Sequence, residues 1–274
     1  MNPSTRPDDQ ILRMMEQTLM PSPHVAELDP DPLAGATSRF ATAGGSVAER
    51  AHLASVLTPT NATRQLCDQR TASLIRQRHL ETGADGVDEL RRLGSNQVRE
   101  LDSLGEAVAR CLDPYREMGP HVAPLFVADV IVSADDRLWK VVPGTGHATF
   151  ETRFDPPDAM TVATALEAWP PDVDPSTCTF VFVVGAFSRA LHLSSGRAHR
   201  SAQVQAGRVA GAIESAWFAQ RRPDELFLTT DTFLDRDVDA VLRNDGVERA
   251  TLAVLAICPL SPAPTRGATD DHDR

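Results

Sequence analysis

The feature that most constrains the fold is the run "CTFVFVVGAF" at residues 178–187, which is apolar almost throughout. A strand with one face in water alternates apolar and polar residues, and this run does not. It therefore predicts a strand that is buried on both faces of a sheet. The run "ATLAVLAIC" at residues 250–258 has the same character and predicts the last buried strand. We expect both strands to lie in one sheet, with a helix over residues 203–220 packed against it.

Further strands and helices are predicted on either side of this run. Residues 122–132, "VAPLFVADVIV", and 138–142, "LWKVV", are strand-like and flank the turn "SADDR", so they predict a β-hairpin. Helices first, followed by strands mixed with helices, favour an α+β domain around a mixed, mostly antiparallel sheet. Asp235 is a candidate N-cap of the last helix, and Gly246 follows the end of that helix. Apolar residues at helical spacing predict helices over residues 8–20, 46–58, 61–79, 87–112, 203–220 and 235–245.

The two ends of the chain differ in composition from its middle. Residues 21–46 are rich in Pro, Gly, Asp and Ala, which predicts an irregular linker after the first short helix. The C-terminal segment "PLSPAPTRGATDDHDR" has no core-forming pattern. We therefore predict three parts: an N-terminal helix and irregular linker over residues 1–60, one folded domain over residues 61–258, and a loose tail over residues 259–274.

Charge and cysteine content exclude several classes of function. The formal net charge of −11 argues against a nucleic-acid binder, because no basic excess is present to neutralise phosphates. Lys140 is the only lysine, so an anion would have to be recognised by arginine. The four cysteines include no Cys-x-x-Cys pair, so neither a zinc site nor a disulfide framework is indicated, and we expect Cys178 and Cys258 to be buried core thiols. The sequence has neither a secretory signal nor an apolar stretch of bilayer length, so we expect a cytoplasmic protein without a membrane partner.

Several arginines and glycines follow the predicted buried strand at residues 178–187. They lie in "SRALHLSSGRAHRSAQVQAG", residues 188–207, and a second patterned segment, "DTFLDRDVDAVLRNDGVERATLAVLAIC", covers residues 231–258. These segments resemble the nitroreductase superfamily and, more narrowly, the SagB-type dehydrogenases, which oxidise azolines to azoles in ribosomally made peptides. The residues that match the family pattern in order are Arg189, Gly196, Arg197, His199, Arg200, Ala206 and Gly207, then Phe233, Asp235, Val238, Leu242, Glu248 and Leu252.

The resemblance implies a fold, a cofactor and partners. The fold would be a nitroreductase-like three-layer α/β/α sandwich over residues 61–258, and the chain would form a homodimer that binds FMN. The flavin phosphate needs guanidinium groups and backbone donors, and the flavin ring needs a flat slot. The expected partners are a peptide substrate and the cyclodehydratase proteins of a biosynthetic complex. The residues expected to hold FMN are Arg70, Thr71, Ser73, Arg116, Gly119, Arg197, Arg200, Gly207 and Arg266.

The sequence departs from the family pattern at the positions that handle protons. Ser194 and Ser195 stand where the family has a lysine–tyrosine pair, and Glu117 stands where a serine would face the flavin. A serine hydroxyl rarely titrates without a base beside it. His199 and Tyr115 are therefore candidates for acid–base catalysis, in addition to Ser194 and Ser195 at the positions of the lysine–tyrosine pair.

Two functions stay open at this point. The first is an FMN-dependent oxidoreductase that removes an α-proton and passes hydride to the flavin, which converts thiazoline or oxazoline into thiazole or oxazole. The second is a catalytically degenerate subunit that acts as a scaffold or binds a peptide in a peptide-modifying complex. The replaced lysine–tyrosine pair and Glu117 favour the second function. A general nitro- or quinone reductase is a third alternative that matches the segments less closely.

Overall fold

One antiparallel sheet forms the centre of the molecule in the computed structural model, which describes residues 69–113, 127–194, 197–220, 222 and 224–259. The strands within these residues are β1 (Val98–Glu100), β2 (Ala128–Ala134), β3 (Arg137–Val142), β4 (His147–Arg153), β5 (Thr179–Ala186), β6 (Glu225–Thr230) and β7 (Arg249–Pro259). Their order across the sheet is β1–β4–β3–β2–β5–β7–β6. Each strand pairs with its neighbours in the antiparallel direction.

Helices of very different lengths connect and cover the strands. The α-helices of the described residues are α1 (Gln69–Arg92), α2 (Glu106–Cys111), α3 (Pro156–Ala165), α4 (Phe187–Ser194), α5 (Ala198–Gln220) and α6 (Asp235–Leu242). Short 3₁₀ segments, Leu101–Leu104 and Pro175–Thr177, precede α2 and β5. None of the described helices is both long and apolar enough to cross a bilayer.

The central strands are buried on both faces because helices pack on both sides of the sheet. On one face, Val183 of β5 packs in a core cluster with Ile213 of α5 and with residues of α2. On the other face, Phe182 of β5 packs with Val162 of α3 and Val238 of α6. The five named residues are each at most 1% exposed. The architecture is therefore an α/β/α sandwich, as predicted, and its sheet is antiparallel throughout the described residues.

The arrangement of the predicted strands is confirmed. The strand-like runs at 122–132, 178–187 and 250–258 contain most of β2, all of β5 and most of β7, and these three strands are neighbours in the sheet. The β2–β3 hairpin turns at Asp135 and Asp136, which both have positive φ angles, 50° and 55°. Aspartate tolerates the left-handed region better than most residues with a Cβ. The helix predicted over 203–220 packs against β2, β5 and β7 as part of α5.

The prediction of one long helix over residues 87–112 is wrong. Helix α1 ends at Arg92, and β1, a 3₁₀ turn and α2 follow within the same range. Two glycines cause the interruptions, since Gly94 and Gly105 have φ angles of 63° and 111°. These angles are open to glycine and strained for other residues, so the chain turns at both points.

Several other elements begin or end where the sequence did not indicate it. Helix α5 begins at Ala198 rather than near residue 203. Helix α3 was not predicted because its first two residues are prolines, yet Asp155 caps it through the Asp158 N–H in a capping box.

In α6, Leu234 rather than Asp235 is the N-cap. The C-cap of that helix is Arg243, which has the left-handed conformation, so Gly246 does not cap it. Strands β4 and β6 and helix α4 were not predicted either.

The predicted helices at 8–20 and 46–58, the linker at 21–46 and nearly all of the tail at 259–274 lie outside the described residues. The division of the chain into three parts therefore stays a prediction. The only residue of the predicted tail that the structure describes is Pro259, which is the last residue of β7.

Candidate functional site

A cleft of about 780 Å³ lies between α5 and the segment that joins β6 to α6. The first residues of β7, from Ala250 to Ala253, also line the cleft. Strand β6 pairs with β7 only from Val254 to Pro259, so it ends before it reaches these residues. The end of β6 therefore leaves room for the cleft beside the first part of β7.

The wall formed by α5 is flat in its middle. Its lining residues include His199, Gln203, Gly207, Gly211 and Glu214, which recur at three- and four-residue spacing and so share one face of the helix. A Cβ atom added at either glycine would meet nothing within 4 Å, so this wall borders open space. A planar group could approach the backbone closely at this point.

An aromatic pair forms one end of the cleft. The ring of His199 stacks on the ring of Phe187 with centroids 4.0 Å apart and an interplanar angle of 19°. Phe187 is the first residue of α4 and is buried, whereas His199 is exposed in the first turn of α5. The stack joins the two helices and presents the imidazole to the cleft.

The cleft has a strongly acidic lining. The carboxylates come from Glu214, Asp231, Asp235 and Asp239, and among the described lining residues there is no lysine or arginine. Threonine and glutamine side chains supply the other polar groups, among them Thr230 and Gln203. Such a lining attracts a cationic ligand and repels an anionic one.

Asp239 has a structural role at the floor of the cleft. Its Oδ1 accepts hydrogen bonds from the Thr251 N–H at 2.8 Å, from the Thr251 hydroxyl at 2.7 Å and from the Asn244 amide at 3.0 Å. Asp239 thus holds the start of β7 against α6 at the point that β6 does not reach. Glu214, Asp231 and Asp235 are the carboxylates that can face a ligand.

The structure brings only part of the predicted flavin site to this cleft. Of the described residues predicted for catalysis or FMN, only His199 and Gly207 line it. Gly207 lies well inside α5 rather than near a helix start. The N–H of a residue in a helix interior is bonded to the carbonyl four residues earlier, so Gly207 offers a flat surface but no free donor. Arg197, which directly precedes α5, and Arg200, in the first turn of α5, do not line the cleft.

The remaining predicted residues lie elsewhere or outside the described part of the chain. Arg70, Thr71 and Ser73 are in the first turns of α1, where the Ser73 hydroxyl accepts a hydrogen bond from Arg76 at 3.4 Å. Ser194 is buried at the end of α4. The predicted residues outside the described ranges are Tyr115, Arg116, Gly119, Ser195 and Arg266.

A second polar cluster, centred on Asp129 of β2, was not foreseen. The Asp129 side chain is 6% exposed and lies 2.7 Å from Arg189 Nη2, 3.1 Å from Lys140 Nζ and 3.9 Å from Arg249 Nη2. Arg249 also pairs with Glu151 at 3.0 Å. Lys140, the only lysine of the sequence, thus forms an ion pair with the Asp129 carboxylate inside the sheet. The single charge within the apolar run "VADVIV" was the signal that pointed to this cluster.

The charges of this cluster shift two pKa values. Burial opposes ionisation of Asp129, but Arg189 and Lys140 outweigh burial and hold the pKa of the carboxyl below its ordinary value. Burial and the nearby Arg189 guanidinium lower the pKa of His79. Arg189 Nη1 lies 3.2 Å from His79 Nε2, which suits a neutral imidazole that accepts this hydrogen bond. The cluster therefore joins α1 and α4 to the sheet.

Comparison with known proteins identifies the fold. No family model matches the sequence, and no curated protein matches it. A putative nitroreductase from Anabaena variabilis is similar in structure with a TM-score of 0.52 and 17% identity, over 78% of this chain and 46% of that chain.

Two further solved structures show weaker similarity. The E. coli microcin synthetase McbBCD complex with truncated pro-MccB17 bound has a TM-score of 0.42 and 12% identity, over 50% of this chain and 53% of that chain. A putative nitroreductase from Ralstonia eutropha has a TM-score of 0.40 and 12% identity, over 57% of this chain and 73% of that chain. The present chain thus spans about half the length of the Anabaena and E. coli chains. The sheet, its covering helices and the likeness to the Anabaena protein show that this chain has a nitroreductase-like fold.

Proposed function

We propose that this chain is a nitroreductase-fold subunit that binds a cationic segment of a peptide in the cleft between α5 and the β6–α6 segment. The observation that carries the proposal is the charge of the lining, which has carboxylates at Glu214, Asp231 and Asp235 and no basic residue among its described members. The net charge of −11 favours the same partner, because it attracts cations from a distance.

The size and chemistry of the cleft support a peptide ligand. Its volume of about 780 Å³ is within the range of about 300–1,000 Å³ that is usual for ligand sites. Carboxylates accept paired hydrogen bonds from an arginine side chain. Thr230 and Gln203 add donors and acceptors that a peptide backbone can use. A subunit of this kind would belong to a peptide-modifying complex that includes cyclodehydratase proteins. We propose that the chain forms a homodimer within that complex.

The described residues of the cleft do not fit the phosphate of FMN. Each charge-assisted hydrogen bond to a phosphate contributes about 1.5–3 kcal/mol, and lysine or arginine normally supplies several of them. The lining supplies carboxylates instead, which repel the phosphate. The lost lysine–tyrosine pair at Ser194 and Ser195 agrees with a subunit that does not oxidise azolines.

The second candidate function is FMN-dependent oxidation of thiazoline or oxazoline rings, as the resemblance implies. The observation in its favour is the flat wall at Gly207 and Gly211 next to the stacked rings of Phe187 and His199. This wall matches the flat slot that a flavin ring needs. The two candidates differ in what the cleft attracts, which makes a binding experiment decisive.

Fluorescence anisotropy with a labelled peptide of alternating arginine and glycine tests the proposal. The probe should bind the intact protein, and a peptide with glutamate in place of arginine should not. Glu214→Gln and Asp231→Asn should each weaken binding by about 0.2–1 kcal/mol, or up to roughly fivefold. Asp237→Asn, on an exposed position of α6 that does not line the cleft, is the matched control and should leave affinity unchanged. Equal binding of both peptides would overturn the proposal.

A further inference from the structure

Two cysteines stand opposite each other where the start of β5 lies beside the end of β7. Thr179 of β5 pairs with Ile257 of β7, so the next residues outward, Cys178 and Cys258, stand opposite one another. Cys258 belongs to an apolar core cluster, and Cys178 packs against the same cluster, with its thiol 3.4 Å from the Asp174 carbonyl oxygen. Opposite residues of antiparallel strands have Cα atoms about 4.5–5.5 Å apart, which is inside the range of about 4.4–6.8 Å that a disulfide spans.

The two thiols differ in accessibility. Cys258 is completely buried, as the sequence predicted, whereas Cys178 is only half-buried. A separate polar cavity of about 330 Å³, whose lining includes Asp135, Ser176 and Cys178, reaches the more accessible thiol from outside. A small reagent can therefore meet Cys178 but not Cys258.

The two thiols also differ in acidity. The neighbouring Cys258 thiol lowers the pKa of Cys178, because an S–H donor beside it stabilises the Cys178 thiolate. The same contact and then burial raise the pKa of Cys258. A thiolate is the attacking form in thiol–disulfide exchange, so Cys178, which has the lower pKa and the more accessible sulfur, is suited to attack first.

We propose that Cys178 and Cys258 are a redox modification site that a low-molecular-weight disulfide oxidises to an intramolecular disulfide. The Cys178 thiolate attacks one sulfur of the reagent and displaces the other as a thiolate, which leaves a mixed disulfide on Cys178. The Cys258 thiol then attacks Cys178 Sγ and displaces the second reagent thiolate, which takes up the proton that Cys258 loses. The protein pair loses two electrons and two protons in total, and the reagent is reduced to two thiols.

The new bond would link the start of β5 to the end of β7. This is the far end of β7 from the cleft, whose floor is at residues 250–253. The redox site is therefore independent of the peptide site. The site needs no rearrangement of the sheet, since the strands already place the two residues opposite each other.

Peptide mapping of the oxidised full chain gives a direct test. The native protein is incubated with glutathione disulfide, its remaining thiols are blocked with N-ethylmaleimide, and it is digested with trypsin. Cleavage after arginine places Cys178 in residues 154–189 and Cys258 in residues 250–266, and neither peptide contains another cysteine. We expect these two peptides to appear joined, with a mass lower by two hydrogen atoms than their sum, and to separate after treatment with dithiothreitol.

Variants separate this result from other reactions of cysteine. The linked peptide should be lost in Cys178→Ser and in Cys258→Ser, and it should persist in Cys67→Ser, which keeps the pair. Circular dichroism of each variant shows that the fold is retained. In the reduced native protein, iodoacetamide should modify Cys178 before Cys258. A glutathione adduct on Cys178 without the link, a link to another cysteine, or two free thiols after oxidation would each overturn the proposal.

Discussion

Asp129 is a carboxylate inside the centre of a sheet, and its neighbours are basic side chains from three different elements. Arg189 of α4, Lys140 of β3 and Arg249 of β7 all lie within 3.9 Å of it. An ionised carboxylate in an apolar strand is strongly unfavourable unless it is paired. The three basic residues satisfy this requirement, and Asp129 in turn holds them near one another.

Replacement of Asp129 by asparagine should destabilise the protein by about 3–5 kcal/mol, because it leaves partly buried cations without their counter-charge. Urea unfolding followed by circular dichroism measures this loss. Asp135→Asn is the matched control, since Asp135 pairs with Arg99 on the surface and its side chain is 71% exposed. The control should change stability by about 1 kcal/mol or less. Equal losses in the two variants would contradict the role given to Asp129.

The pH dependence of stability should report the same carboxylate. The folded-state pKa of Asp129 is lower than the ordinary value of 3.8. Its contribution to stability is therefore fully present above pH 3.8, and it is lost as the pH falls from that value through the lower folded pKa. Unfolding free energies measured across this acidic window should fall more steeply in the native protein than in Asp129→Asn. Parallel pH curves for the two proteins would show that Asp129 does not carry this dependence.

At the scale of elements, the contact between α6 and β7 replaces a missing part of a strand. Because β6 ends at Thr230, the Thr251 N–H has no strand partner on that side and donates to Asp239 instead. Asp239→Ala should remove the acceptor for two buried donors of Thr251, at a loss of about 1–3 kcal/mol for each. Amide hydrogen exchange at Thr251 should also become faster. Asp239→Asn keeps an acceptor oxygen and should lose less, so an equal loss in both variants would contradict this role.

Two glycines near the cleft should respond to alanine in opposite directions. Gly207 lies inside α5 with open space where a Cβ would stand, so Gly207→Ala should stabilise the protein by about 0.5–1 kcal/mol. Gly246 has a φ angle of 71°, so Gly246→Ala should destabilise it by about 1–2 kcal/mol. Thermal unfolding measures both changes. A destabilised Gly207→Ala variant would show that α5 does not have the open wall described for the cleft.

The elements differ in how far the sequence could predict them. Strands β5 and β7 were predictable because burial on both faces leaves a continuous apolar run in the sequence. The break after Arg92 was not, because Gly94 inside a regular apolar pattern resembles a tolerated helical glycine. The cleft could not be predicted from local patterns at all. Its carboxylates come from α5, the β6–α6 segment and α6, and strand β6, which ends beside them, has only half-buried apolar residues.

At the scale of the whole molecule, the resemblance and the charge of the cleft favour different ligands. The resemblance implied arginines gathered around a phosphate, and His199 and Gly207 do lie at the cleft. The arginines predicted at positions 197 and 200 lie off it, and carboxylates line it. A fold can keep its core while the chemistry of its site changes, since different residues determine the two.

The most direct test of this account is flavin retention by the purified full chain. The protein is incubated with excess FMN and passed through a gel-filtration column, and the visible absorbance of the protein peak is recorded. The acidic lining of the cleft predicts a protein peak without flavin absorbance, while the same preparation binds the arginine–glycine peptide. A yellow protein peak that carries FMN in a fixed ratio to the chain would contradict it and would favour the azoline dehydrogenase.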